Sequence, residues 1–382
     1  VKTVKLGEVA EVVSGATPKT GVADYWGGKH FWITPAELSR SSSPFISETE
    51  RTLTEAGLRS CAARMLPPGS VLLSSRAPIG LTGITTVPMA TNQGFKSLVP
   101  GPDLSAHYVF HWLRGHRALL ESMGTGATFK ELSKRAVESI KIPLPDLRYQ
   151  EQVAEILDRA DGQRSRRRAQ VDSLDVLVRS RFAEVVAQAP AGPVLGDVAA
   201  FVRGVTFKPA DVSDEGVPVM RTKNVQRHLD LSDVIRIPAD LIKNEGKYLR
   251  SGDTLVSSAN SYNLVGKCCF VGELPERSAI GGFVAALRPG PGVDPVFLHH
   301  WFNSDRIQET VRSFGNQTTN ISNLNIKRTL TLRLPDVPLA VQREFAAVVA
   351  KIDAQRERIE RALVLEDELF ASLQYRAFRG EL

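Results

Sequence analysis

The sequence predicts a mixed α/β (α+β) protein built as an internal repeat. Two similar globular modules are each followed by a long helix, and the two helices pair as an antiparallel coiled coil about a pseudo-twofold axis. Three observations lead there. Short motifs recur in the same order at a near-constant shift, short apolar runs between turn residues fill each module, and two long proline-free stretches carry apolar residues at helical spacing. A repeat this long is not a solenoid, whose units span a few tens of residues; it means duplicated domains.

The repeat comes first. Leu6-Gly7-Glu8-Val9-Ala10 returns as Leu195-Gly196-Asp197-Val198-Ala199, and Gly15-Ala16-Thr17-Pro18-Lys19 as Gly204-Val205-Thr206-Phe207-Lys208, both shifted by 189. Ile140-Lys141-Ile142-Pro143 matches Leu332-Arg333-Leu334-Pro335, and Gln150 to Asp161 matches Gln342 to Asp353, both shifted by 192. The boundaries that follow are module 1–146, helix 147–188, module 189–336 and helix 337–382.

Within the first module, Val71-Leu72-Leu73 after Pro67-Pro68-Gly69, Ile84 to Val87 after Gly83, and Leu98-Val99 before Pro100-Gly101-Pro102 read as strands. Tyr108, Trp112, Leu119 and Met123 recur at helical spacing, so one helix is expected over Ser105 to Ser122. The second module copies it, with Trp301 for Trp112 and His300 for His111. Each module ends on a strand at Pro143 or Pro335.

The connectors are helices by pattern. From Arg148 to Val186 there is no proline, and apolar residues fall at 153, 156, 157, 160, 171, 174, 177, 178 and 182. Val341 to Phe378 lacks proline and glycine, with Phe345, Val348, Val349, Ile352, Ile359, Leu363, Leu369, Phe370 and Leu373 in the same rhythm. Spacings of three and four sustained this long describe an amphipathic helix with a coiled-coil seam. A lone helix of this kind leaves its stripe in water, and its own copy is the natural partner; the alternative is that each helix packs on its own module. Gln163-Arg164-Ser165-Arg166-Arg167-Arg168 offers no apolar seam residue and is where the pairing should be weakest.

Composition bounds the function. A chain of 382 residues, 42% hydrophobic and 24% charged, has room for two cores and is neither disordered nor membrane-spanning. The start, Val1 to Glu8, lacks the apolar stretch of a signal peptide and already belongs to the repeat. Cys61, Cys268 and Cys269 form no CxxC pair, which fits a reducing cytoplasm. The net charge of +6 splits unevenly: 24 Lys/Arg face 19 Asp/Glu up to residue 190, and 24 face 23 after it. A basic excess suits a polyanionic partner without requiring one.

Catalytic patterns are near-misses. Gly266-Lys267 lacks the upstream glycine of a phosphate loop, and Glu245-Gly246-Lys247 has a nuclease-like ending without an acidic partner upstream. His107 and His111 have metal-ligand spacing on a helix, but the copy keeps only the second, so they read as a helix-surface pair and no metal site is expected. The Asn/Asp-Pro-Pro-aromatic signature of amino-methyltransferases does not occur. What recurs is polar loops on a constant framework: Ile33-Thr34-Pro35 against Met220-Arg221-Thr222, Ser74-Ser75-Arg76 against Ser257-Ser258-Ala259, and Gly126 to Lys130 against Thr318 to Ser322. Arg, Lys, Asn, Gln, Ser and Thr bond base edges and phosphates, although each is also a turn residue for backbone reasons.

Taken together, Leu6-Gly7-Glu8-Val9-Ala10 with Ser14-Gly15-Ala16-Thr17-Pro18, Ser75-Arg76-Ala77-Pro78-Ile79-Gly80 with Asn92-Gln93-Gly94-Phe95, Ile140 to Pro145 leading into Gln150-Glu151-Gln152-Val153, and the ending Phe370-Ala371-Ser372-Leu373 to Arg376-Ala377-Phe378-Arg379-Gly380-Glu381-Leu382 resemble the specificity subunits of type I restriction-modification systems. The resemblance runs the whole length. It implies a non-enzymatic subunit with two target-recognition domains, each reading half of a bipartite sequence in double-stranded DNA, and helices that act as a ruler. It further implies two methyltransferase subunits, bringing S-adenosylmethionine and methylating adenine, and restriction subunits using ATP and Mg. No cofactor is then expected on this chain, and the location is cytoplasmic. Gly281-Gly282-Phe283 stands where the first half has Asn92-Gln93-Gly94-Phe95, so contacts do not carry over there.

The candidate DNA contacts are Lys19, Thr34, Arg76, Asn92, Gln93, Lys130 and Lys134 in the first module. In the second they are Lys208, Arg221, Lys223, Asn224, Asn260, Asn263, Asn316, Gln317 and Asn320. Two other readings share the architecture: a specificity subunit whose partner fuses methyltransferase and nuclease, and a coiled-coil scaffold that binds proteins.

Overall fold

The computed structural model describes residues 2–41, 43–126, 130–317 and 321–382, with the backbone alone at Asn316 and Gln317. It divides into two compact units: Val1–Arg168 with Glu360–Leu382, and Ala169–Ile359. Each unit therefore holds one module, part of the first long helix (Leu147–Val186) and part of the second (Leu339–Ala377).

In the first unit a five-stranded sheet runs in the order Ala10–Ser14, Lys96–Pro100, Val71–Leu73, Thr82–Thr85, Phe45–Ile46. A three-stranded sheet orders Arg51–Leu53, Trp26–Ile33, Met89–Thr91, and Thr3–Lys5 pairs antiparallel with Lys141–Pro143. The second unit repeats the plan. Ala199–Arg203 pairs with Val284–Pro289 in the register that Ala10–Ser14 keeps with Lys96–Pro100, the partners Ala10 with Pro100 becoming Ala199 with Pro289. Ala191–Val194 closes on Arg333–Pro335.

The helix expected over Ser105 to Ser122 is two helices, Ala106–Gly115 and Arg117–Met123. His116 ends the first one: its ring stacks on Trp112 with centroids 4.1 Å apart, and its Nδ1 lies 2.8 Å from the Trp112 carbonyl. That pose holds His116 at φ −111°, ψ 27°, outside the helical region. In the second unit the same place holds Pro295–Phe302 and Asp305–Ser313. Trp112 and Trp301 are both buried.

Within each unit the two long helices run antiparallel. In the first, the Tyr149 hydroxyl donates to the Ala377 carbonyl at 3.3 Å, while further along Arg164 Nε donates to Asp367 at 2.5 Å. In the second, Arg356 Nη2 meets Asp175 at 2.8 Å and Phe345 packs edge-on against Phe182 at 5.6 Å. The apolar stripe is narrower than the spacing suggested. Val153, Leu157, Val171, Val178 and Phe182 are buried, but Ile156 and Leu177 are exposed, as is Leu369 beside the buried Phe370. A strict seam faces one partner helix, and the residues flanking it turn to water.

The stretch that looked weakest is ordered by charge instead. Arg164 keeps only 13% of its side chain exposed; it bonds Asp161 at 2.9 Å and Asp367, and lies 4.2 Å over the Phe370 ring. Arg167 pairs with Glu366 at 2.6 Å and Arg168 with Asp367 at 2.9 Å. In the second unit Arg356 pairs with Asp353 and Asp175. Arg356, Asp353 and Asp367 are Arg164, Asp161 and Asp175 shifted by 192, so the duplication carries the ionic layer with it. No described helix is long and apolar enough to cross a membrane.

Candidate nucleic-acid interface

Backbone bonds gather the first unit's polar loops. Ala16 N donates to Thr91 O at 2.9 Å, Asn92 N to Ile33 O at 3.0 Å, Ser75 N to Gly94 O at 2.7 Å and Leu132 N to Ser75 O at 2.9 Å. The loops bearing Thr17, Thr34, Arg76, Asn92 and Gln93 are thus tied to one another. Gly15 is required there, because a Cβ would lie 1.9 Å from the Asn92 carbonyl oxygen. The second unit uses the same ties: Val205 N to Ile280 O at 2.8 Å, Ser258 N to Phe283 O at 2.9 Å and Leu324 N to Ser258 O at 2.9 Å. Gly204 repeats the close approach, with a Cβ 1.7 Å from the Gly281 oxygen.

These bonds correct one alignment. Because Phe283 accepts from Ser258 as Gly94 accepts from Ser75, Phe283 occupies the Gly94 position and the buried Val284 takes that of Phe95.

Each unit thus carries one loop cluster on a repeated framework. Residues 1–171 match the family described as Type I restriction modification DNA specificity domain. That match spans the first module and the start of the first long helix. Over 180 residues it is 33% identical to the type I restriction enzyme MjaIX specificity subunit of Methanocaldococcus jannaschii, a match covering 47% of this chain and 42% of that one. The chain thus spans under half the length of that relative. The fold extends further. A type I restriction-modification S subunit from M. genitalium superposes with a TM-score of 0.59 at 13% identity, covering 99% of this chain and 96% of the other. A chain solved in work on complex assembly and conformational transition of the type I R-M system superposes at 0.58 with 20% identity, covering 100% and 98%.

On this framework the candidate residues separate. In the first unit Thr34 caps the helix Pro35–Arg40, its hydroxyl accepting from Glu37 N at 3.2 Å. Asn92 turns its Oδ1 back to Gly94 N at 2.8 Å, and Gln93 bonds the Thr17 hydroxyl. Arg76 lies 3.7 Å from Glu131, which also holds the nearly buried Lys96 at 3.3 Å. Lys134 stands apart, on the helix Lys134–Glu138, where it pairs with Glu138 at 3.7 Å. Lys19 and Lys130 are exposed and form no ion pair among the described residues.

In the second unit Lys208 is exposed, and its backbone N–H bonds Asp211 at 2.6 Å. Asn224 is the clear correction. It is 1% exposed, donates to the carbonyls of Asp230 and Asp233 at 2.8 and 3.0 Å, and accepts from Arg221 N at 2.8 Å. Its amide is consumed in closing a loop. Arg221 and Lys223 converge on Asp233; hydrogen bonds and the nearby positive charge, Lys223 first, hold that carboxyl below its usual range.

Asn260 is shared by a small sheet in which Ala259–Asn260 pairs with Ser322–Asn323, and that strand pairs with Asn316–Gln317. The backbone therefore brings the Asn260, Asn316 and Gln317 positions together, with Asn263 exposed on the following turn. The side chains of Asn316 and Gln317, and all of Asn320, lie outside the described residues.

Three features were missed. Asp158 on the first long helix receives both His107 and His111, at 2.6 and 2.7 Å, so the pair is not a free helix surface. Burial pushes the Asp158 carboxyl up, but the two histidine hydrogen bonds outweigh it and hold the group well below the carboxylate range; the bond to Asp158 raises His107. Among the described residues no group of three or more His, Cys, Asp or Glu could hold a metal ion. Second, Gln150 is fully buried, accepting from Ser105 N at 2.9 Å and donating to Asp103 O and Pro145 O, both at 2.9 Å. Gln342 does the same with Asp294 N at 2.9 Å and Val337 O at 2.7 Å. Their shared position in the repeat was the available signal. Third, Phe283 is 69% exposed.

Proposed function

We propose that this chain is the DNA sequence-specificity subunit of a type I restriction-modification complex, each unit's loop cluster reading one half of a bipartite double-stranded target. The observation that carries this is the pairing of identical framework bonds with unlike tips: Ala16–Thr91 and Val205–Ile280 tie equivalent loops, which present Arg76, Asn92 and Gln93 in one unit and Asn260, Asn263 and Phe283 in the other. Readers that differ on a common scaffold suit a target with two different halves. Base edges are read by such amides and guanidinium groups, while lysines neutralise phosphates. Lys19, Lys130 and Lys208 suit the second task.

The long helices set the separation of the half-sites and dock two methyltransferase subunits. Those subunits supply S-adenosylmethionine and methylate an adenine in each half; restriction subunits supply the ATP- and Mg-dependent step. This chain's part is recognition, without chemistry of its own. The family match over residues 1–171 and the fold match over the whole chain support the assignment.

The test is the methylome of a host carrying the gene against its deletion. A two-part motif with a fixed gap should vanish with the gene; an unchanged methylome would overturn the reading. In the same host Arg76→Ala should alter the motif in one half only. A uniform loss across sequences would make Arg76 a phosphate contact instead.

A further inference from the structure

The two loop clusters differ most sharply at one position. Where the first unit has Gly94, the second has Phe283, 69% exposed. Its backbone is not loose. The Phe283 carbonyl accepts from Ser258 N at 2.9 Å and Ala259 N at 3.3 Å, and Gly281 N is tied to Met220 O at 2.9 Å. A pinned backbone thus holds an aromatic ring in water, next to the strand bearing Asn260. Tyr262, 46% exposed, follows on the turn that carries Asn263. Val284, the next residue, opens the strand Val284–Pro289 with its side chain buried, and the alternation of faces there turns Phe283 outward.

We propose that Phe283 is an apolar wedge that inserts against the base stack of the half-site read by the second unit. The first unit, with glycine at the equivalent place, reads its half without one. Side chains of this type enter between base steps, and flexible pyrimidine–purine steps yield most easily. Neighbouring amides at Asn260 and Asn263 suit base edges or phosphates and place the ring in a DNA-facing rather than a protein-facing setting. This inference rests on the DNA-specificity reading above and adds that the two halves are recognised by different physical means.

The experiment uses the full chain assembled with its methyltransferase subunits and the duplex defined by the methylome. 2-Aminopurine is stepped through both half-sites, and its fluorescence is read with wild type, Phe283→Ala and Phe283→Leu. Away from the two adenines that the methyltransferases flip out of the stack, a rise at one step of one half-site, lost in Phe283→Ala and kept in large part by Phe283→Leu, is expected, with a tenfold or greater loss of specific affinity for Phe283→Ala. Because the side chain is exposed, thermal melting should not change. Sequence-selective binding with no fluorescence rise, or with one that Phe283→Ala leaves intact, overturns the wedge alone. Release of the methyltransferase by Phe283→Ala would make the ring a protein contact and overturn it too. Absence of any selective binding by wild type would defeat the specificity reading itself, and the wedge with it.

Discussion

Removing Asp175 should cost far more stability than removing the arginine it holds. Arg356 is buried, with 8% of its side chain exposed, and its Nη2 bonds Asp175 at 2.8 Å. Its Nε is buried without a partner. Asp353 also pairs with it, but that carboxylate is 48% exposed and, as a surface partner, offsets at most about 1 kcal/mol. Asp175→Ala therefore strands a buried guanidinium, and breaking a buried pair this way costs about 3–5 kcal/mol. With Asp353 remaining, about 3 kcal/mol is expected. The reverse change, Arg356→Met, leaves Asp175 27% exposed and still paired with Arg227, so about 1 kcal/mol is expected. The double variant should lie close to Arg356→Met alone, since no buried charge is left unpaired. Equilibrium urea unfolding of the full chain, followed by helical circular dichroism, reads this: with a slope of about 3 kcal/mol/M, Asp175→Ala lowers the midpoint by about 1 M. Equal losses for the two single variants, or strict additivity in the double, would refute the idea that a buried ionic layer orders this part of the helix pair.

Further outcomes follow from the same structure. Gly204→Ala drives a Cβ to within 1.7 Å of the Gly281 oxygen, so the loop tie must break; a lower melting temperature and loss of methylation at one half-site are expected, whereas Gly272→Ala, which meets nothing within 4 Å, should be silent. Gln342→Ala orphans the half-buried Asp294 N–H and the buried Val337 carbonyl, costing about 1–3 kcal/mol for the buried group, and hydrogen exchange should show faster opening around Asp294. Burial, with His300 as a like charge, lowers His299 to about 3; burial and then the Arg356 charge lower His300 to about 4. Both folded values sit below the unfolded value of about 6.5, so the unfolded state binds more protons as pH falls. The second unit should be fully stable above about pH 6.5 and lose stability progressively towards pH 4. Urea midpoints across that range that do not move, or that move equally in His300→Phe, would contradict this.

What the sequence disclosed and what it hid divide along a physical line. Features fixed by the chain's own local pattern were legible: the two long helices, the strands at Val71–Leu73 and Lys96–Pro100, and the duplicated framework. Features that depend on a partner distant in sequence were not. Arg164 looks like a gap in an apolar seam until Asp367 lies opposite it, 203 residues away. His107 and His111 look like a surface pair until Asp158 arrives from the long helix. The candidate site was legible as a set of loops but not as side-chain roles, because the same residue type serves a turn or a ligand according to geometry that only the folded loop decides. Asn224 and Asn263 show this: one is sealed in the loop it closes, while the other is open to solvent. Periodicity likewise could not say which apolar residues face inward, so Ile156 and Val153, three apart, fall on opposite sides of exposure.

The duplication itself resolves into two layers under different constraints. The framework layer repeats in kind: Gly15 and Gly204 at the crowded tie, Gln150 and Gln342 at the helix root, and the Arg164 and Arg356 ionic layers. Each of these is buried or sterically tight, so a change in either copy carries a stability cost that does not depend on what the protein binds. The tip layer does not repeat: Arg76 stands against Ala259, and Gly94 against Phe283. Arg76, Ala259 and Phe283 are partly or fully exposed, and substitution there costs the fold little; Gly94 is buried, with a Cβ only 3.0 Å from Pro35. Divergence concentrated where the fold is indifferent, over a framework held constant where it is not, is what selection for two different ligands on one scaffold would leave. An exposed phenylalanine in such a tip adds nothing to the fold, and a base stack that covers it would remove its apolar surface from water.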